Sequence, residues 1–317
     1  MAQNLKELVK KNKKYIKEEV NLNELLDKFI LQKQLEPFRG TRTFHPSQVS
    51  KGIECEIYWY YFFKNEEEAP EKWSDESLTA MINGKGIHNA WQEVLWEMGI
   101  LEGVWKCPAC GYEFWATAPH GQCENCRAFF KSWDYIIFKE VPIQAGLIKG
   151  HADGLINNGG PRILLELKSI KNQVKNSPYG FEVLTTKPLD DHFLQTQLYL
   201  WGWNEMAKKA PLGEEIIVDN DGKLSVEKLD APVYQGAKVI GQIHTGLIEY
   251  IAKNSSEKKS FAVKRNQTAI DWLLDSMAII WKAYLEDTPE TLNSVEPTMK
   301  SKCKYCKYRK MCSAANS

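Results

Sequence analysis

The tripeptide Glu166-Leu167-Lys168 sits inside an apolar run, Ile163-Leu164-Leu165-Glu166-Leu167-Lys168-Ser169, and sets an acid and an amine two residues apart. In an extended strand successive side chains alternate faces, so Glu166 and Lys168 share one face and Leu165 and Leu167 the other. Charged groups in an apolar setting are costly unless they pair or serve a site. Upstream, Gly150-His151-Ala152-Asp153-Gly154 brings a second carboxylate to the end of a neighbouring strand. Asp153 and Glu166 offer the oxygen ligands that a hard divalent cation takes, and Lys168 can hold or deprotonate an attacking water. The competing reading is a structural Glu166–Lys168 ion pair with Asp153 in a turn. The tripeptide alone favours that reading, since acid-x-Lys is frequent in any sequence.

The eight cysteines divide by spacing. Cys107-Pro-Ala-Cys110-Gly and Cys123-Glu-Asn-Cys126 form two knuckles joined by a loop with Gly111, Pro119 and Gly121. Four thiolates so placed can converge on one tetrahedral ion, the pattern of a structural zinc site. Buried free thiols or a redox pair are the alternative, but a redox motif needs one knuckle rather than two. Such a site staples a ribbon over about residues 104–131 whose folding energy comes from the metal. The remaining cysteines are Cys55 and the C-terminal Cys303, Cys306 and Cys312. An all-cysteine set suits zinc or an iron–sulfur cluster, and spacing leaves both open. The compact ferredoxin run is missing, which weighs against an electron-transfer domain. Cys55 taken alone also reads as a small core residue.

Two helical signals change the weight given to the acids. His88 follows Asn83-Gly84-Lys85-Gly86, where each glycine weakens a helix by about 1 kcal/mol relative to alanine and invites a reason such as close approach to a strand or a phosphate. Further on, His192, Gln195 and Tyr199 fall at i, i+3 and i+7, on one helix face.

The elements that position these groups follow from periodicity and turn chemistry. Residues 3–34 read as helical, 47–63 as a helix with an aromatic face, 65–71 as an acidic loop and 77–96 as a second helix. After the ribbon come strands at 133–141, 145–155 and 162–170, a helix at 190–207, strands near 215–218 and 237–240, and a long C-terminal helical region. This order is that of an α/β (α+β) core with metal-dependent additions. At 317 residues the length prior is roughly two domains. The elements resolve it into an N-terminal helical segment (1–44), a core domain (45–312) with the ribbon inserted, and a C-terminal cysteine cluster and tail (297–317). Lys plus Arg equals Asp plus Glu at 41 each, which excludes a globally basic coat protein and an acidic disordered one. No secretory leader or membrane-spanning run is expected, so the expected location is cytoplasmic, where clustered cysteines bind metal more often than they form disulfides.

The set Gly-x-x-His88, Gly-His-Ala-Asp153-Gly, Glu166-x-Lys168 and Gln195-x3-Tyr199 resembles the PD-(D/E)XK nuclease superfamily, in its RecB-like branch. Cys55 with the C-terminal Cys-x2-Cys-x5-Cys is similar to the iron–sulfur exonucleases of that branch, including CRISPR-adaptation exonucleases and AddB-type recombination nucleases. The resemblance spans about residues 45–312 and implies a restriction-endonuclease-like core. It implies that His88, Asp153, Glu166 and the backbone carbonyl of Leu167 coordinate magnesium or manganese, and that Lys168 positions the attacking water. Gln195 and Tyr199 would support the lysine and contact DNA. Cys55, Cys303, Cys306 and Cys312 would hold a [4Fe-4S] cluster that locks the two ends of the domain together. The ribbon, with zinc on Cys107, Cys110, Cys123 and Cys126, departs from the minimal family pattern. It contacts DNA or a partner, or stabilises an insertion.

Lys300, Lys302, Lys304, Lys307, Arg309 and Lys310 surround the last cysteines beside Tyr305 and Tyr308. Such a run is usually a solvated tail, but anchored by a metal cluster it becomes a rigid surface that can follow phosphates and stack bases. The expectation is therefore a deoxyribonuclease, an exonuclease of recombination, repair or phage-type DNA processing. The alternatives are a non-catalytic DNA-binding or assembly module on the same scaffold, and an electron carrier built on the cysteines. No phosphate loop for ATP is present, so unwinding would fall to a helicase or another recombination or replication protein on a separate chain.

Overall fold

The structure, a computed structural model, describes residues 43–53, 55–64, 75–172, 181–209, 214–218, 224–228, 236–237, 240–253, 255, 257–293, 306, 308 and 311–312. The helix expected over 3–34 and the acidic loop at 65–71 lie outside these residues. The chain divides into two compact units, Met1–Arg39 with Ala69–Thr79 and Gly40–Glu68 with Ala80–Ser317. Apart from the first residues of one helix, every element below belongs to the second.

Helices α1 (Pro46–Gly52) and α2 (Glu56–Lys64) replace the single helix expected over 47–63, with the weak helix former Gly52 at the break. Helix α3 (Asp75–Glu97) carries His88. The chain then forms β1 (Leu101–Lys106), β2 (Glu113–Thr117), β3 (Gly121–Gln122), β4 (Phe129–Phe130), β5 (Ile137–Phe138), β6 (Val141–Ala145), β7 (Ile148–Ala152), β8 (Gly154–Ile156) and β9 (Ile163–Ile170). Helix α4 (Asp190–Lys209), strands β10 (Glu214–Val218), β11 (Leu224–Lys228), β12 (Thr245–Ala252) and β13 (Lys258–Lys264), and helix α5 (Gln267–Glu286) follow.

The result is a mixed α/β architecture around one central sheet of order β13-β12-β9-β8-β1-β2, with β5 also paired to β1. Strand β12 runs parallel to β9 and the other pairs are antiparallel. Strand β9 is covered on both faces. Leu164 packs with Tyr199, Leu200 and Trp203 of α4, whereas Leu165 and Leu167 pack with Trp96, Trp105 and Trp133. Gly246 of β12 permits the close seat of α4, because a Cβ there would lie 2.4 Å from Thr196 Cγ2.

Three sequence expectations are corrected. Where a strand is expected near 237–240, the described residues Gly236, Ala237 and Ile240 are helical and Gly241 N donates to Ala237 O at 2.9 Å. The C-terminal helical region begins only at Gln267, because Thr245–Ala252 and Lys258–Lys264 pair as β12 and β13, the first extending the sheet beside β9. The strand expected over 133–141 is a single 3-10 turn at Trp133–Tyr135 and the two-residue β5, since Trp133 and Ile136 turn inward to the tryptophan cluster.

Candidate active site

Strand β9 and helix α4 build one half of the site. The face of β9 that carries Leu164 also carries Glu166 and Lys168, and this face meets α4. Lys168 Nζ donates to Glu166 Oε1 at 2.6 Å and to Gln195 Oε1 at 2.9 Å. Gln195 Nε2 donates in turn to Glu166 Oε1 at 2.8 Å and to Tyr199 Oη at 3.3 Å. Gln195 and Tyr199, one helical turn apart, thus reach the strand as their spacing requires. His192 does not join them: its Nδ1 lies 2.8 Å from Tyr250 Oη on β12.

The second half comes from the β7–β8 junction and α3. Asp153 is buried, its Oδ2 accepting from the Leu167 amide at 2.6 Å and its Oδ1 lying 3.5 Å from His88 Nδ1. Gln92, one turn beyond His88, donates to the Asp153 carbonyl at 3.0 Å. Leu167, named by the resemblance for its carbonyl, gives its amide to Asp153. The glycines before His88 separate in meaning. A Cβ on Gly84 would stand 3.2 Å from Ser169 Oγ, so Gly84 serves close approach to β9, whereas one on Gly86 would meet nothing within 4 Å.

A further carboxylate, Glu140, belongs to this neighbourhood and was missed in the sequence. It links β5 to β6 with a left-handed φ of 61°, a strained setting for a non-glycine residue. Burial pushes its pKa up to about 7, with repulsion from Asp153 adding to the rise and His88, Gln92 and Lys85 opposing it. Its only sequence signal is an acid before Val141-Pro142, too common to single out.

Charge in the site is unbalanced towards the negative. Burial pushes Glu166 up to about 7 despite the pull of Lys168, and Asp153 adds to the rise. Burial disfavours the charged forms of Lys168 and His88, yet Glu166 raises the lysine and Asp153 raises the histidine. Acids and bases shifted upward together mark a pocket that gains from a cation. An oxygen-rich donor set with one imidazole suits a hard divalent ion.

The four-cysteine ribbon is a separate centre. Sγ atoms of Cys107, Cys110, Cys123 and Cys126 all lie within 4.8 Å of one another. Cys107 and Cys126 are 3.6 Å apart and Cys110 and Cys123 are 3.8 Å apart, as expected for the edges of a tetrahedron with metal–sulfur bonds of about 2.3 Å. The two knuckles repeat one backbone design. Gly111 N donates to Cys107 O and Arg127 N to Cys123 O, both at 2.8 Å, and Gly111 and Arg127 are both left-handed, at φ 77° and 62°. Hydrogen bonds from Asn125 and the Tyr112 backbone pull the Cys110 thiol down to about 6. At Cys126 the Ala128 amide favours the thiolate, but the neighbouring sulfurs, Cys110 foremost, drive the thiol up to about 12. Four thiolates in contact need a cation. Among the described residues this is the one group of three or more ligand residues that converges so tightly; His88, Asp153 and Glu166 are spread more widely.

Of the second cysteine set, Cys55, Cys306 and Cys312 all join one packed cluster with Tyr58, Tyr61 and Tyr308. Tyr61 Oη donates to Met311 O at 3.0 Å, which holds Met311 on α2. Cys303 lies outside the described residues, as do Lys300, Lys302, Lys304, Tyr305, Lys307, Arg309 and Lys310. Tyr308, expected to stack bases, is corrected: it is 1% exposed, with its ring 5.2 Å from Tyr58 and 5.9 Å from Tyr61, and presents no face to a base. Among the described residues no helix is long and apolar enough to cross a membrane.

No protein-family model matches the chain, and no curated protein does. Among solved structures it is similar to one titled "Crystal structure of SSO0001", at 17% identity over 92% of this chain and 97% of that one, with a TM-score of 0.41.

Proposed function

We propose that this chain is a divalent-metal-dependent deoxyribonuclease on a PD-(D/E)XK scaffold of the RecB-like branch, acting as an exonuclease in recombination, repair or phage-type DNA processing. The observation that carries the proposal is the buried network itself. Four separate elements, α3, the β7–β8 junction, β9 and α4, deliver His88, Asp153, Glu166, Lys168 and Gln195 to one place. A structural Glu166–Lys168 pair would not require a histidine and two further carboxylates beside it.

His88, Asp153 and Glu166, with the Leu167 carbonyl, would hold magnesium or manganese. Such an ion, when bound, supplies Lewis acidity towards the scissile phosphate. Asp153 is oriented by the Leu167 amide, which leaves its Oδ1 towards His88. Lys168, held as an ammonium by Glu166 and Gln195, is a donor for the attacking water and for charge building on the phosphate. The water oxygen bonds to phosphorus and one of its protons passes to solvent, the ester P–O bond breaks, and the leaving oxygen takes a proton from solvent, so the proton count balances with Lys168 remaining an ammonium. Tyr199, through Gln195, keeps the lysine in place. Cys55, Cys303, Cys306 and Cys312 hold a [4Fe-4S] cluster in this reading, supported by the shared packing of the three described cysteines. Zinc occupies the ribbon.

Asp153→Ala and Lys168→Ala are each expected to abolish cleavage of end-labelled DNA in magnesium or manganese while folding and DNA binding persist. Cleavage retained in both variants would overturn the proposal. DNA binding with no cleavage by the wild type would favour the non-catalytic module.

A further inference from the structure

The ribbon is no appendage. Its two-residue strands β3 and β4 offer little core of their own, and its buried cysteines, Cys107 and Cys123, pack into the same cluster as Leu165 and Leu167 of β9. That cluster also receives Ile87, Trp91 and Leu95, one helical stripe of α3. The adjoining stripe of the same helix carries His88 and Gln92, which meet Asp153. Two hydrogen bonds fix the seat from either end. Trp133 Nε1 donates to Asn89 Oδ1 at 3.2 Å, on the residue after His88, and Trp96 Nε1 donates to Pro119 O at 3.2 Å, in the loop between the knuckles. Ring contacts extend the seat: Trp96 to His120 at 4.3 Å, Trp96 to Trp133 at 6.1 Å and Trp105 to Trp133 at 5.8 Å.

Beside Asp153, then, His88 is placed by a helix whose apolar stripe rests on a module whose four converging cysteines can hold a metal. We propose that Trp133 and the four-cysteine ribbon are the positioning device for His88, so that metal on Cys107, Cys110, Cys123 and Cys126 sets how tightly the His88–Asp153–Glu166 site binds its own cation. The proposal rests on the nuclease reading only for what that second cation does.

The test is manganese binding to the full chain, read from the electron paramagnetic resonance of free Mn2+, beside zinc content and DNA cleavage. Trp133→Phe keeps an aromatic ring in the cluster but removes the N–H to Asn89 and part of the indole packing. It should retain its zinc and weaken Mn2+ binding by roughly 3- to 10-fold, below the effect typical of a direct partner of a metal ligand. Cys126→Ser, at an exposed knuckle position, should lose zinc and weaken Mn2+ binding further. His88→Ala combined with Trp133→Phe should bind no worse than His88→Ala alone, because both act through one imidazole. Wild-type Mn2+ affinity in both Trp133→Phe and Cys126→Ser, or additive losses in the double variant, would overturn the ribbon's role and leave the nuclease reading standing. Variant-sensitive Mn2+ binding in a chain that never cuts DNA would do the reverse.

Discussion

Glu166 and Lys168 were legible because strand alternation in an apolar run puts them on one face, and a 2.6 Å contact now joins them. Glu140 was not, because its position depends on a left-handed turn and on Asp153, neither visible locally. Its energetics make a prediction about the metal-free protein. A folded pKa of about 7 against an ordinary 4.5 means that Glu140 favours the fold fully below pH 4.5 and loses that contribution as pH rises through 7. Glu140→Gln should therefore stabilise metal-free protein at pH 8 by about 2 kcal/mol, after discounting its partial exposure, and have little effect at pH 4. Urea unfolding at the two pH values checks this; equal stability of variant and parent at pH 8 would contradict it. Gln195 bridges lysine and glutamate, so Gln195→Ala should cost roughly 10- to 100-fold in cleavage rate, from losing hydrogen bonds to charged groups. A rate unchanged within twofold would show the lysine to be held without it.

Strand β9 is the pivot of the fold, with the site on one face and the tryptophan cluster on the other. Leu165→Ala should cost about 2 to 4 kcal/mol, measured by denaturant unfolding, through the cavity left under Trp105 and Trp133. Helices α3 and α4 and strand β9 were readable from periodicity to within two or three residues. Strand β12 was not. Its sequence Thr245-Gly246-Leu247-Ile248-Glu249-Tyr250-Ile251-Ala252 sends Leu247 and Ile251 to one apolar cluster and Ile248, Tyr250 and Ala252 to another, so its apolar residues do not alternate along the sequence. Gly246 reads as a strand breaker until Thr196 is seen against it.

The described cysteines sit in two places, four in the ribbon beneath α3 and three in the cluster where Cys306, Tyr308, Met311 and Cys312 meet α2. Even spacing made the first legible as a metal site; of the second, dispersed over some 250 residues of sequence, Cys55, Cys306 and Cys312 share one packed cluster only through the fold. Cys306→Ser should lose iron from anaerobically purified protein and loosen the C-terminal contact at Tyr61 and Met311, while zinc is retained. Iron missing from a fresh anaerobic wild-type sample would contradict the cluster and leave the acid site untouched. The balanced net charge likewise hides local imbalance, since a site rich in carboxylates coexists with lysines elsewhere. The most direct measurement is the release of labelled nucleotides from end-labelled single- and double-stranded DNA by zinc- and iron-replete protein. Product should appear with magnesium or manganese, vanish with chelator, and be missing from Lys168→Ala; no product from the wild type with either metal would contradict the nuclease assignment.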